Sequence, residues 1–239
     1  MKEHFNIVVF CHLFYEESWR EIRDSLNPLS EYSHRVFINI CSDMPYCDSL
    51  EKQIREERPE FEIIKSPNKG RDIGGKLKCV ENYMDNEYSS DYMIFLHDKV
   101  SPSRPFFGRI WRSSLFRILR RKYISHILNV FKNDKVGMVG SRSLIDTHLA
   151  TNYESICTLC SWYKLPKFEK KDIKFIAGAM FWVRSAVYEE FFNENSPLEA
   201  WEELEDGNTD DIDEASFTHS WERLFSLIVL AEGQDIIGV

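Results

Sequence analysis

The densest chemistry in the chain lies at Asn68, Lys69, Gly70, Arg71, Asp72, Ile73, Gly74 and Gly75. Glycines admit positive φ angles and let a ligand come close to the backbone. Arg71 carries a fork of donors matched to a diphosphate or to a neighbouring carboxylate. Asp72 can accept from a ribose or base donor, or hold Arg71 in place. Residues 76–84 read as a helix, and the amides at a helix N-terminus favour an anion. The competing reading is a glycine-rich turn closed by a local Arg–Asp pair. A Walker-type phosphate loop is excluded, since no Gly-Lys-Ser/Thr follows at the required spacing.

Three further clusters could carry chemistry. His97, Asp98 and Lys99 end the apolar run 91–96. Asp98 is the one acidic ligand there for Mg2+ or Mn2+, which favour oxygen donors. Lys99 offers another way to set positive charge against a leaving diphosphate, and a polar turn is the plainer alternative. Residues 175–184 mix small and large side chains. Gly178 and Ala179 would let a sugar approach the backbone, and Phe181 or Trp182 could stack on it, although core packing is the favoured account of the aromatics. His219 and Glu222 stand three apart, on one face of a helix. Either suits a general base, with a solvated helix face as the alternative.

These clusters need elements to position them. Residues 6–11 form a continuous apolar run, read as a buried parallel strand. A helix over 15–26 follows, stopped by Asn27 and Pro28. Then come a strand at 35–41, a helix at 48–57, a strand at 61–65 and the strand at 91–96. Strand and helix in alternation open a Rossmann-like half of a mostly parallel α/β sheet flanked by helices. Further on, the pattern predicts a helix over 107–132, a strand at 136–140, a loop-rich stretch to 171, and a strand at 175–183 interrupted by Gly178. A helix at 217–230 and a strand at 235–239 close the chain. Ligands of open α/β sheets sit beyond the carboxyl ends of the strands. His12, the 68–75 segment and His97 to Lys99 all fall there.

Composition narrows the function classes. A chain of 239 residues fits one domain. A net charge of −9 argues against general binding of nucleic acid, which needs a broad basic surface. The total hides two opposed regions. Residues 101–133 contain no acid but include Arg104, Arg109, Arg112, Arg117, Arg120, Arg121, Lys122 and Lys132, while 185–218 contain no Lys or Arg. The basic helix between Arg109 and Lys122 could rest on anionic lipid, near a lipid-diphosphate acceptor, or face acidic residues of the same chain or a neighbour. Cys11, Cys41 and Cys79 lie among apolar residues and read as small hydrophobes. Cys157 and Cys160 form a C-x-x-C with no further ligand pair in view, so a structural role is favoured over zinc or redox chemistry. No apolar run approaches the roughly 20 residues of a membrane-spanning helix, and a cytoplasmic location is expected.

The ordered motifs resemble one family. Asn68-Lys-Gly-Arg-Asp-Ile-Gly, Phe95-Leu-His-Asp-Lys-Val-Ser-Pro, the 175–184 block and Glu222-Arg-Leu-Phe are similar to successive motifs of the rhamnan synthesis protein F family. Residues 8–12, Trp111-Arg112 and 136–140 fit the same pattern. Gly75 departs from it, standing where many members are expected to carry Pro. The resemblance implies a glycosyltransferase A fold and transfer of a sugar, rhamnose being typical, from a nucleoside-diphosphate sugar to a growing cell-surface glycan or lipid-linked glycan. It implies a nucleotide-sugar half over 1–100 and an acceptor half over 101–239. It places His12, Asn68, Gly70, Arg71, Asp72 and Gly74 around the donor nucleotide and His97, Asp98 and Lys99 at the diphosphate. Gly178, Met180 and Trp182 would border the acceptor, with His219 or Glu222 near the base position. Members are often parts of larger proteins, so a missing acceptor domain or a partner is also implied. A catalytically silent binding module and a structural subunit of an assembly complex are the alternatives.

Overall fold

A computed structural model describes residues 5–100, 105–208 and 215–239, with the side chains of 105–109 outside the description. In chain order the elements are β1 (Asn6–Leu13), α1 (Trp19–Leu26), β2 (Ser33–Cys41), α2 (Cys47–Glu57), β3 (Glu62–Ser66), α3 (Arg71–Asp85) and β4 (Tyr92–His97). There follow α4 (Pro105–Leu115), α5 (Arg121–Val130), β5 (Val136–Gly140), β6 (Ile145–Asp146), α6 (Tyr153–Trp162), β7 (Phe175–Ile176) and β8 (Phe181–Arg184). The chain ends with α7 (Ser185–Glu194), α8 (Pro197–Glu202), α9 (Phe217–Ala231) and β9 (Asp235–Gly238).

Seven strands make one sheet in the order β3-β2-β1-β4-β8-β5-β9. Strand β8 runs antiparallel to both neighbours, and the other pairings are parallel. The expected mostly parallel α/β sheet is therefore present. Strands from both parts of the chain meet at the β4–β8 pairing, so the core is continuous across it. β1 and β4 are central strands covered on both faces, which is why they read as unbroken apolar runs instead of alternating ones. Phe95 of β4 stacks on Phe181 of β8 with ring centroids 4.9 Å apart. Tyr188 and Phe225 extend that aromatic core.

Several expectations need correction. Helix α3 begins at Arg71 and not at 76, because Gly70 and Arg71 both take left-handed φ (68° and 52°) and turn the chain into the helix early. The basic stretch is not one helix. Arg120 is extended (φ −73°, ψ 135°) and separates α5 from the 3-10 turn that follows α4. Within it Arg112 pairs with Glu21 at 2.9 Å and Arg121 with Glu31 at 2.7 Å, so two of its cations face acids of the same chain. The 141–171 stretch contains α6, whose Ile156, Leu159 and Cys160 are buried at helical spacing. Residues 175–183 are two strands in two sheets, since Gly178 and Ala179 both have positive φ (83° and 44°) and reverse the chain.

Candidate active site

Register builds the floor of the site. His12 of β1 stands level with Asn39 of β2 and with His97 of β4. In parallel strands such level residues share a face, so three polar side chains line up at the carboxyl edge of an otherwise apolar sheet. Helix α3 lies directly upon them. A Cβ at Gly75 would sit 2.1 Å from His12 Nδ1 and 2.6 Å from Asn39 Oδ1. No other residue fits there without moving the helix.

The next residue of α3 was not singled out by sequence reasoning. Lys76 is fully buried, and its Nζ lies 2.7 Å from Asp72 Oδ2, 2.9 Å from the carbonyl oxygen of Ala179 and 3.1 Å from His97 Nδ1. Three ammonium protons meet three polar atoms. His97 Nδ1 also lies 3.3 Å from Asp72 Oδ2, so it accepts from Lys76 when the ring proton is on Nε2 and donates to Asp72 when it is on Nδ1. Burial holds His97 well below the usual histidine range, with Lys76 acting in the same sense against the opposing pull of Asp72. Burial pushes Asp72 upwards, but the Lys76 ammonium beside it outweighs burial and holds its carboxyl well below the ordinary value. A signal for Lys76 existed in the sequence: Asp72 and Lys76 are an i,i+4 pair.

Around this hub lie two adjoining cavities of about 80 and 200 Å³ that share Arg71, Asp72, His97 and Lys99. The first also receives His12, Phe14, Tyr15, Asn68 and Asp98. The second receives Trp111, Gly178, Ala179, His219 and Glu222. The expected residues thus converge from five segments. Backbone strain coincides with the cavities: Arg71 and Ala179 are both non-glycine residues in left-handed backbone, a strained state that tends to be kept at functional sites.

Gly70 caps α3, and a Cβ there would meet Leu204 Cδ1 at 2.1 Å. Gly74 lies within α3 against the Lys69 carbonyl. Neither glycine lines the cavities; both set how closely α3 approaches its surroundings. Met180 and Trp182 are fully buried in the core, and Trp182 donates from Nε1 to the Ile118 carbonyl at 3.2 Å. They do not border the cleft, and the wall expected of them is formed by Gly178 and Ala179. Trp111, half-exposed, is the aromatic side chain at that wall.

Asp98 is nearly buried, and its Oδ2 accepts from the backbone amides of Phe14 (3.0 Å) and Tyr15 (2.6 Å). Burial raises it to about 7, against the lowering effect of those two amides. The residues present fit Mg2+ or Mn2+ poorly. Asp98 is engaged with backbone, Asp72 is neutralised by Lys76, and among the described residues no group of three His, Cys, Asp or Glu side chains is placed to hold a metal ion.

Glu222 accepts from the Gly178 amide and, at 2.6 Å, from Arg223 Nη1. Burial raises its pKa, partly offset by Arg223 and the Gly178 amide. His219 Nδ1 lies 2.7 Å from Ser216 Oγ, the residue that caps α9. The α9 end is tied to the glycine segment by Glu205, another residue that sequence reasoning missed. Its carboxylate accepts from Phe217 N (2.5 Å), Thr218 N (2.9 Å) and Thr218 Oγ1 (2.6 Å), while its carbonyl accepts from Gly70 N at 2.7 Å.

A mostly parallel sheet with a polar cleft at its carboxyl edge is the arrangement of a ligand-binding α/β protein. The family is narrower than that. The chain belongs to the rhamnan synthesis protein F family, whose model matches residues 1–234. No curated protein matches it. Among solved structures it is similar to the mannosyltransferase PcManGT from Pyrobaculum calidifontis, in complex with GDP-Man and Mn2+, at 10% identity and a TM-score of 0.45. That match covers 100% of this chain and 55% of the other, so this chain spans little more than half of that protein's length. No helix among the described residues is long and apolar enough to cross a membrane.

Proposed function

We propose that this chain is a glycosyltransferase of the glycosyltransferase A type that moves a hexosyl group, with rhamnose as the first candidate, from a nucleoside-diphosphate sugar to a hydroxyl of a growing polysaccharide. Membership of the rhamnan synthesis protein F family supports the class. The observation that carries the reading is the shared wall of Arg71, Asp72, His97 and Lys99 between the two cavities. A ligand spanning both would set its diphosphate against Arg71 and Lys99 and its sugar beside Glu222. The first cavity is lined mainly by residues before 101, and the second by residues from both sides of that point.

The geometry suits each part of such a transfer. Arg71 and Lys99 supply donors and positive charge to the departing diphosphate. Glu222, with its raised proton affinity, takes the acceptor hydroxyl proton, and His219 lies beside it in the same cavity. Asp98 shapes the Phe14–Tyr15 wall and holds no reacting atom. The test is release of nucleoside diphosphate from a panel of UDP-, dTDP- and GDP-sugars with a glycan acceptor. Glu222→Gln should lower kcat by roughly 10²–10⁴ while donor affinity stays within twofold. Equal turnover by wild type and variant would remove Glu222 from the reaction.

A further inference from the structure

The cavity next to the hub contains a polarity that the proposed diphosphate contacts do not use. Arg71 and Lys99 can only donate hydrogen bonds. Two other groups lining the same cavity present bare acceptors: His12 Nε2 and Asn68 Oδ1 are buried with no hydrogen-bond partner among the described residues. His12 itself is 3% exposed. Leaving one buried acceptor unpaired costs about 1–3 kcal/mol, and two in one cavity mark a place where a ligand supplies donors.

The state of His12 is set from behind. Asn39 donates from Nδ2 to Ser66 Oγ (2.9 Å), and its Oδ1, 3.3 Å from the same Ser66 hydroxyl, faces His12 Nδ1 at 2.8 Å. An oxygen at Nδ1 requires the proton on Nδ1, so Nε2 carries the lone pair. Gly75 keeps α3 tight over the His12–Asn39 bond and leaves the ring no space to turn.

We infer that His12, oriented by Asn39 and Ser66, is a specificity-determining acceptor for a hydrogen-bond donor on the nucleoside part of the ligand. This rests on the nucleotide-sugar reading above. The donor is an N–H of the base or an O–H of the ribose. Asn68 Oδ1 is the second bare acceptor of the same cavity. The cavity thus holds acceptors at His12 and Asn68 beside donors at Arg71 and Lys99, and a nucleoside diphosphate carries partners for both kinds.

The test is calorimetric titration of the full chain with UDP, dTDP, GDP, ADP, CDP and inorganic pyrophosphate. The best-bound nucleotide is then compared with its 2′-deoxy, 3′-deoxy and ring-N-methyl analogues, on wild type and on His12→Phe. The expected result is a loss of at least about tenfold for one analogue on wild type, and no further loss from that analogue on His12→Phe. The analogue identifies base or ribose as the source. Pyrophosphate affinity should be the same in both proteins. Equal sensitivity of both proteins to every analogue would overturn the inference while leaving the nucleotide site standing. Failure of every nucleotide and of pyrophosphate to bind would instead remove the parent reading. If His12→Phe does not fold, nitrogen-15 spectra of the wild-type imidazole decide the matter. A protonated Nδ1 and a bare Nε2 whose signal moves on nucleotide binding is the expected result, and a protonated Nε2 contradicts it.

Discussion

Replacing Lys76 with Met removes the centre of the hub and keeps most of its volume. The Asp72 carboxylate, the Ala179 carbonyl and His97 Nδ1 each lose a partner. Removing one member of a fully buried charge pair costs about 3–5 kcal/mol; Asp72 is 25% exposed to the cleft, which sets the loss at about 3 kcal/mol, and the Ala179 hydrogen bond adds about 1 kcal/mol. At about 2–4 °C per kcal/mol for a chain of this size, Tm should fall by roughly 8–16 °C. Urea unfolding should show the midpoint move at constant slope. The double variant Lys76→Met with Asp72→Asn no longer buries an unpaired carboxylate, and should regain about half of the loss. A loss under about 1 kcal/mol, or a double variant no more stable than the single one, would refute the hub as described.

Other predictions follow from the same geometry. Burial raises Asp98 to about 7, so its contribution to stability is full below its unfolded value of about 4 and is lost as pH rises through about 7. Denaturant midpoints of wild type should therefore decline over that window by up to about 1.4 kcal/mol per pH unit, and Asp98→Asn should flatten the decline. Asp72, held low, acts in the opposite window: its contribution is present above about 4 and is lost as pH falls below it, so acid titration of Asp72→Asn should lack that loss. Gly75→Ala forces a Cβ onto the His12–Asn39 bond and should cost about 1–3 kcal/mol of stability, read by thermal unfolding, with weakened nucleotide binding. Glu205→Ala should cost about 1–3 kcal/mol by leaving two amides and a hydroxyl at the head of α9 without their acceptor, and Glu205→Gln should recover part of it.

The sheet was legible because its central strands are buried on both faces and so spell unbroken apolar runs. The convergence of His12, Asn68, Arg71 and His97 to Lys99 followed from the same logic, since parallel strands end at one edge. The start of α3 was misplaced because Gly74 and Gly75 look like loop residues. Their real function is close packing, against the Lys69 carbonyl and the His12 ring, which depends on contacts across the sheet. Core packing, the favoured account of the aromatics by residue type, holds for Trp182; the family resemblance set Met180 and Trp182 beside the acceptor, and the reversal at Gly178 and Ala179 leaves them in the core. Lys76 and Glu205 act through long-range partners, 103 residues away at Ala179 and 12 away at Phe217. Nothing in local spacing reveals such pairs, apart from the Asp72–Lys76 step along the helix.

The most direct test of the central claim is a thermal-shift titration with nucleoside-diphosphate sugars on wild type and on Arg71→Ala with Lys99→Ala. A ligand at about 100 times its Kd adds about 2.7 kcal/mol to the folded state. The account predicts a concentration-dependent rise in Tm with at least one nucleotide sugar, and its disappearance in the double variant. No rise with any nucleotide sugar, or an equal rise in both proteins, would contradict it.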